Sequence, residues 1–475
     1  MTLRDLIGNG APAVEVSGLA YSSGDVAPGD LFFCVRGHVA DGHDYAADAV
    51  SRGAAALVCE RPLDLGVPEV VVADARAAMA PAAVRFYGDP TADLRVVGVT
   101  GTNGKTTTTY LARAILEAAG ERTGLLGTVA SVVGGREEPV VRTTPEAIDL
   151  QRTFRRMLDS GDTAAAMEVS SHALELKRTD GVRFACRVFT NLTQDHLDFH
   201  DTMEAYFLAK RRLFEGPGPS VVNVDDEYGR RLAAELPDAT TYAVRGRAAH
   251  YSAHDVELGA AGASFACTTP DGEVRMTTRL PGLFNVSNAL AAVAATRALG
   301  VPLAAAAAAL ATADRVPGRF EPVDEGQPFA VLVDYAHTPD SLDNVLRAAR
   351  ELTSGRLHVV FGAGGDRDRA KRPLMGAVAS ELADRVIVTS DNPRSEDPES
   401  IVDAILAGAG PDVEREVDRR RAIRLAVETA APGDVVVIAG KGHEQGQEFE
   451  GGRKEPFDDV TVAREALRSE HGATR

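Results

Sequence analysis

Apolar positions in this chain cluster in short, β-branched runs. Each run ends in a glycine-rich or polar turn, and most are followed by a longer stretch with helical spacing. In the first hundred residues this pattern predicts strands at Asp30 to Val35, Ala55 to Cys59 and Glu69 to Val72. Helices are predicted at Tyr45 to Arg52 and Arg76 to Phe86, before the turn-rich linker Gly88-Asp89-Pro90-Thr91. Further strands are expected at Ala164 to Val169, Phe184 to Thr190 and Ser220 to Val224, with helices at Ala147 to Leu158 and Met203 to Phe214 between them. Such alternation implies a mostly parallel sheet. Ser264 to Leu280 instead alternates around Asp271-Gly272, as a hairpin does. Ala289 to Ala313 reads as two alanine-rich helices joined at Gly300-Val301-Pro302. The last third repeats the α/β theme, with strands at Phe329 to Val333, Leu357 to Phe361, Val386 to Thr389 and Val435 to Ala439. The expected fold is α/β with three domains: a small N-terminal unit over 1–94, a central P-loop ATPase-type unit over 95–316, and a Rossmann-like doubly wound unit over 317–475.

One stretch organises the rest. Val96 to Thr109, V-V-G-V-T-G-T-N-G-K-T-T-T-T, carries a buried-strand pattern into a glycine turn, a lysine and a row of threonines, and a helical pattern follows from Tyr110 to Ala119. Glycines let backbone N–H groups approach phosphates, the helix N-terminus adds positive potential, and a lysine can reach the terminal phosphates while a hydroxyl holds Mg²⁺. The common nucleotide-loop formula wants a glycine where Val99 stands; here Gly101 and Gly104 give a tighter G-x-x-G-K-T. The stretch is read as an ATP site.

Bulk properties narrow the classes. A chain of 475 residues is too long for one core. Its formal charge of −18 argues against a nucleic-acid or anionic-membrane surface. No apolar run is long enough to span a bilayer, and Met1 to Asp5 lacks the pattern of a signal peptide, so a cytoplasmic protein is expected. Cys34, Cys59, Cys186 and Cys267 have no CxxC pairing and read as buried free thiols.

Candidate chemistry collects at strand ends. Four C-terminal strands run at once into D-Y-A-H (Asp334 to His337), G-A-G-G-D-R-D (Gly362 to Asp368), S-D-N-P-R (Ser390 to Arg394) and G-K-G-H-E (Gly440 to Glu444). In an open parallel sheet ligands bind outside the carboxyl ends of the strands, so the four loops predict one binding rim. Glu168, closing a predicted strand, suits a Mg²⁺ ligand or a structural hydrogen-bonding group equally well. In N-L-T-Q-D-H-L-D-F-H, metal binding and acid–base work are both open to His196, while His200 is expected to pack. Lys210 would ordinarily be a solvated helix lysine. In the N-terminal unit, Ser22-Ser23-Gly24, Pro28-Gly29-Asp30 and the segment from Gly37-His38 to Gly42-His43 are loop signals that could hold a polar ligand, although an ordinary turn is favoured for any one of these residues alone.

The motifs G-T-N-G-K-T-T, E-V-S-S-H-A-L, T-N-L-T-Q-D-H-L-D-F-H, A-K-R-R-L-F, L-P-G-L-F-N-V-S-N, V-P-G-R-F-E, D-Y-A-H-T-P-D, G-G-D-R-D, D-N-P-R and G-K-G-H-E occur in that order. Together they resemble the Mur ligases, ATP-dependent amide-bond-forming enzymes of peptidoglycan synthesis, over nearly the whole chain. The resemblance implies that Gly101, Thr102, Asn103, Gly104, Lys105, Thr106 and Thr107 hold the ATP phosphates. It places Asn288, Arg319 and Asp334 near the adenine, ribose and phosphate. It makes Thr106 and Glu168 ligands of one Mg²⁺, with His196 assisting a second. It matches Lys210 to a lysine that reacts with CO₂ to give a carbamate, a metal ligand of opposite charge. Thr143, Thr144, Ser170 and Arg178 match residues holding a UDP-muramoyl dipeptide, and Ser23 one at its uridine end. The family commonly shows D-S-R where this chain has Ser22-Ser23-Gly24.

The resemblance implies a reaction in which ATP phosphorylates the free carboxylate of UDP-N-acetylmuramoyl-L-alanyl-D-glutamate. An amino-acid amine then attacks the acyl phosphate, giving amide, ADP and phosphate. The motifs are most similar to those of the member that adds the third amino acid. Diaminopimelate differs from lysine by one distal carboxylate, which a planar guanidinium reads well, and Arg394 offers one. Asp391 and Glu444 are expected to take the distal ammonium. Arg367, Asn392, Pro393 and the Gly440 backbone complete the pocket. Lysine-adding relatives typically lack this arginine. A lysine-adding ligase and a folylpolyglutamate synthetase are further disfavoured by the N-terminal unit, and a non-ligase nucleotide switch would leave the four rim loops without a role. A monomer acting on small molecules is expected.

Overall fold

The structure, a computed structural model, describes all residues except 9, 38, 39, 260, 474 and 475, and the side chains of 470–473 are likewise not described. His38, part of a candidate loop, therefore lies outside the described residues. Two compact units are formed: Met1–Thr100 with Gly120–Arg187 and Ala209–Gly218, and Gly101–Ala119 with Val188–Leu208 and Pro219–Arg475.

In the first unit, strands Gly18–Ala20, Asp30–Phe33, Ala56–Cys59 and Glu69–Val71 form a parallel sheet in chain order. Alternate residues of its second strand serve opposite faces: Leu31 and Phe33 pack with Met79 and Ala83, whereas Phe32 and Cys34 pack with Ala46 and Leu57. A strand buried on both faces reads as a continuous apolar run, which is why L-F-F-C-V was legible. Helix Ala75–Tyr87 stops at Gly88, which sits in the left-handed region. Beyond it, strands Arg95–Thr100, Ala164–Glu168 and Thr123–Leu126 pair in parallel. Ser131–Val133 and Arg136–Glu138 extend that arrangement antiparallel, a hairpin the sequence reading passed over.

The second unit contains helix Lys105–Ala118, five residues longer at its start than the sequence pattern indicated. Threonine is a modest helix former, but Thr106 to Thr109 are all buried, and the Thr109 hydroxyl bonds back to the Thr106 carbonyl at 2.8 Å. Ser220–Asn223, Thr240–Ala243 and Tyr251–Gly259 are parallel, and Gly262–Thr269 and Gly272–Thr278 form the expected hairpin. The two alanine-rich helices span Leu283–Ala298 and Leu303–Thr312. The helix expected over Met203 to Phe214 is α-helical to Arg211 and tightens to a 3₁₀ turn over Arg212–Phe214.

The C-terminal sheet has the strand order Glu321–Pro322, Ala330–Asp334, Val435–Ala439, Leu357–Phe361, Arg385–Val388, Glu414–Arg415. Only its first pairing is antiparallel. Val435, Val437 and Ala439 enter one core while Val436 and Ile438 enter the other, so helices cover both faces. The register matches Asp334 to Ala439, Val360 to Ile438 and Phe361 to Val388. Four strands thus end side by side on one rim. Among the described residues no helix is long and apolar enough to cross a membrane.

Candidate active site

The glycine turn after Thr100 is built by close backbone approach. A Cβ on Gly101 would lie 1.8 Å from the Thr190 hydroxyl, and one on Gly104 2.3 Å from Asn288 Oδ1; both glycines have positive φ. The Thr102 amide donates to the Asn191 carbonyl and the Asn103 amide to Asn191 Oδ1, each at 2.9 Å. The Asn103 carbonyl accepts from Thr190 Oγ1 at 2.6 Å. Lys105 Nζ donates to the Gly101 and Thr102 carbonyls at 3.1 and 2.8 Å. The helix opens directly at Lys105, so its unshared N–H groups and its positive dipole end lie at the loop.

Three distant residues contact this loop: Asn288, Arg319 and Asp340. Asn288 faces Gly104. Arg319 Nη2 donates to Thr106 Oγ1 at 3.0 Å, and its guanidinium lies over the Tyr335 ring, 4.5 Å from the centroid. Asp334 accepts from the Phe320 amide at 2.7 Å; burial pushes its carboxyl up to about 6 against the opposing pull of Arg319. Asp340, in the first turn of helix Pro339–Glu351, accepts from Asn103 Nδ2 at 2.7 Å and from Thr193 Oγ1 at 3.2 Å.

His196 has left-handed backbone geometry and lies 3.4 Å from the buried Asp195 carboxylate. Burial opposes ionisation of Asp195, but His196, His337 and Lys371 hold its carboxyl well below the ordinary range. His200 stacks on Tyr206 with centroids 5.1 Å apart, the packing role expected of it.

In the first unit Glu168 is buried, and both its oxygens face Thr128: the amide donates to Oε1 at 2.8 Å and the hydroxyl to Oε2 at 3.1 Å. Thr128 Oγ1 also bonds Thr143 Oγ1 at 3.0 Å. Thr144 Oγ1 donates to the Glu168 carbonyl at 2.9 Å and accepts from the Ser170 amide at 3.1 Å, while Arg178 Nη1 donates to the Thr144 carbonyl at 3.2 Å. Glu168, Thr143, Thr144, Ser170 and Arg178 therefore form one group. Ser23 takes part in a different contact, its hydroxyl bonding Asp48. Lys210 is 1% exposed, so it is not the solvated lysine its helical setting would suggest.

The rim of the C-terminal sheet gathers Asp391, Asn392, Arg394, Gly440 and Glu444. A Cβ on Gly440 would meet Asp391 Oδ2 at 2.5 Å. Lys441, fully buried, points its Nζ at Asn392 Oδ1 (2.8 Å), Glu444 Oε2 (2.9 Å) and Asp391 Oδ1 (3.7 Å). Asn392 Nδ2 donates to Glu444 Oε2 at 2.7 Å. Burial opposes the Asp391 charge, but Lys441, Arg419 and His337 outweigh it and lower the carboxyl's pKa. Arg394 Nε donates to Glu448 Oε2 at 3.0 Å and Nη1 to the Gly365 carbonyl at 2.7 Å. Arg367 is exposed, and its Nη1 donates to the neighbouring Asp366 carbonyl at 3.1 Å. Beneath the rim Arg419, buried and paired with Asp459, donates to the Ala439 and Ser390 carbonyls and ties two strand ends together.

Three family models match this chain: the Mur ligase catalytic domain over residues 15–87, the Mur ligase middle domain over 99–296 and the Mur ligase glutamate ligase domain over 318–442. It is 50% identical, over 96% of its length and 95% of the relative's, to a UDP-N-acetylmuramoyl-L-alanyl-D-glutamate–2,6-diaminopimelate ligase of Geobacillus kaustophilus. The chain belongs to the Mur ligase family. A ligase of the same description from Streptomyces coelicolor is 47% identical over 99% of this chain and 96% of its own. A solved structure of such a ligase superposes with a TM-score of 0.70 at 35% identity, covering 99% of both chains.

Within this Mur ligase frame the sequence reading passed over several residues. Thr128 holds Glu168 but carries no motif around it. Glu146 is buried and takes Arg76 at 2.7 Å, Arg178 at 2.9 Å and Arg142 at 3.5 Å, setting the guanidinium the reading did name. Its signal was the T-T-P-E run after Arg142. Asp340 and Lys441 lie inside D-Y-A-H-T-P-D and G-K-G-H-E, where the sequence alone assigns them no role. Glu448 had no signal, because the strand that bears it is three residues long.

Proposed function

We propose that this chain is an ATP-dependent ligase that joins diaminopimelate to UDP-N-acetylmuramoyl-L-alanyl-D-glutamate through an acyl phosphate, in peptidoglycan synthesis. The observation that carries the reading is near-full-length identity of 50% to a ligase so described. A rim that offers an arginine fork beside a buried carboxylate cluster supports it. Work is divided among residues 1–94 for the nucleotide sugar, 95–316 for ATP and 317–475 for the amino acid.

The loop from Gly101 to Thr107, with the amides at the start of its helix and the Lys105 ammonium, holds the triphosphate and neutralises charge as the γ-phosphoryl group moves to the substrate carboxylate. Asn288, Arg319 and Asp334 orient the nucleoside and phosphates. Thr143, Thr144, Ser170 and Arg178 hold the muramoyl dipeptide, with Ser23 at the uridine. Thr106 and Glu168 would each offer Mg²⁺ a hard oxygen donor and His196 would assist, and a carbamate on the buried Lys210 would add negative charge. Bound Mg²⁺ supplies charge neutralisation at the phosphates. Arg394, Asp391, Asn392, Pro393, Glu444, Arg367 and Gly440 receive the zwitterionic end of the amino acid. The substrates place the enzyme in the cytoplasm, and it acts as a monomer.

An amino-acid panel reading ADP release with the UDP-linked acceptor present tests this. ADP release should require both acceptor and diaminopimelate. Arg394→Ala should lower kcat/KM for diaminopimelate roughly 10- to 100-fold while leaving ATP affinity in place. Equal use of lysine and diaminopimelate, or turnover without the acceptor, would defeat the assignment.

A further inference from the structure

The hairpin Gly446–Glu448 and Lys454–Pro456 is fastened to the D-N-P-R loop by both backbone and side chains. The Arg394 amide donates to the Glu448 carbonyl at 3.0 Å, and the Glu448 amide donates to Asn392 Oδ1 at 3.0 Å. Gln447 Nε2 donates to the Asp391 carbonyl at 2.7 Å. Arg394 itself has φ +52°, a conformation that non-glycine residues adopt at a cost and keep only where the surroundings fix it. Its side chain is fixed too, with Nε on the Glu448 carboxylate and Nη1 on the Gly365 carbonyl. One residue, Glu448, thus engages Arg394 at its amide and at its guanidinium.

We propose that Glu448 is a specificity-determining positioning residue: it locks the Arg394 guanidinium in place and leaves the Nη2 hydrogens and one Nη1 hydrogen for the distal carboxylate of the incoming amino acid. The assignment rests on the reading of the rim as the diaminopimelate site. A guanidinium has five N–H donors in a rigid fork, so using two of them on fixed acceptors fixes the direction of the rest. Glu448 also balances the arginine's charge, so that placed donors, rather than bulk positive potential, select the substrate. An amino acid ending in an ammonium alone cannot satisfy donors aimed this way.

The test compares Glu448→Ala and Glu448→Gln in the full-length enzyme, measuring kcat/KM for diaminopimelate and for lysine at saturating ATP and acceptor, with the KM for ATP as a check on folding. Glu448→Ala should lower kcat/KM for diaminopimelate about tenfold through KM and leave lysine use unchanged. Glu448→Gln, whose amide oxygen still accepts the Nε hydrogen, should recover part of the loss. In an Arg394→Ala background Glu448→Ala should add no further loss. Parallel losses for both amino acids, no loss for either, or additive losses in the double variant would overturn the assignment while leaving the ligase reading intact. An intact enzyme with no diaminopimelate-dependent ADP release would overturn the ligase reading and this assignment with it.

Discussion

The nucleotide loop and the C-terminal rim lie in the same unit but are built on opposite plans. The loop is one contiguous stretch whose shape is set mainly by backbone contacts: the Asn191 carbonyl, the Asn103 carbonyl and the amides opening helix Lys105–Ala118. The rim is assembled from four strand ends and held by side-chain charges that pair with one another. Lys441 lies among Asp391, Asn392 and Glu444, and Arg394 lies against Glu448. A backbone-built phosphate site tolerates little sequence change, because glycines and a helix start are its working parts. A charge-balanced rim tolerates change wherever the balance is kept.

Removing the loop's single point charge tests the first half of that contrast most severely. Lys105→Ala should reduce kcat by about 10³-fold, in the range found when one donor to a transition-state anion is lost. The affinity for the amino acid, which the proposed function assigns to the rim, should stay near its original value. Steady-state ADP release with each substrate varied in turn separates the two. A variant retaining a tenth of the activity would show that charge neutralisation resides elsewhere.

At the rim the corresponding change is Lys441→Met, which removes an ammonium but keeps most of the side-chain volume. Asp391 would be left buried without its nearest cation, and truncating one partner of a buried ion pair costs about 4 kcal/mol. Lowered thermal stability and a raised KM for the amino acid are expected together, with the KM for ATP little changed. Unaltered melting and unaltered KM would mean that Lys441 contributes nothing to the cluster.

The same contrast explains what was legible beforehand. The strands, the alanine-rich helices and the glycine turn were read from local patterns, because burial on both sheet faces and helix initiation leave marks within a few residues. The five residues that open helix Lys105–Ala118 leave no such mark, because a row of threonines has modest helix propensity and is held helical by its burial. Asp391, Arg394 and Glu444 are legible from their motifs, but their partners within the chain are not. The ammonium expected to come from substrate between Asp391 and Glu444 is already supplied in part by Lys441. The partner of Arg394 stands 54 residues away on a three-residue strand. Thr128 and Glu146 were missed for the same reason, since a hydrogen bond across the fold has no periodicity.

Asp334 gives the smallest expected effect and the finest probe of the comparison, because the proposed function assigns it to the nucleotide while it closes a strand of the rim sheet. Burial raises its pKa from 3.8 to about 6. The folded state therefore holds a proton there at pH values where the unfolded chain has released it. The stability this group contributes is full below pH 3.8 and is lost as pH rises through about 6, a change on the order of 3 kcal/mol. Asp334→Asn removes the titration while keeping an oxygen able to accept the Phe320 N–H. The melting temperature of the variant, relative to the parent, should accordingly rise between pH 4.5 and pH 7. A constant difference across that range would place the Asp334 carboxyl at an ordinary value and remove burial as the cause of its shift.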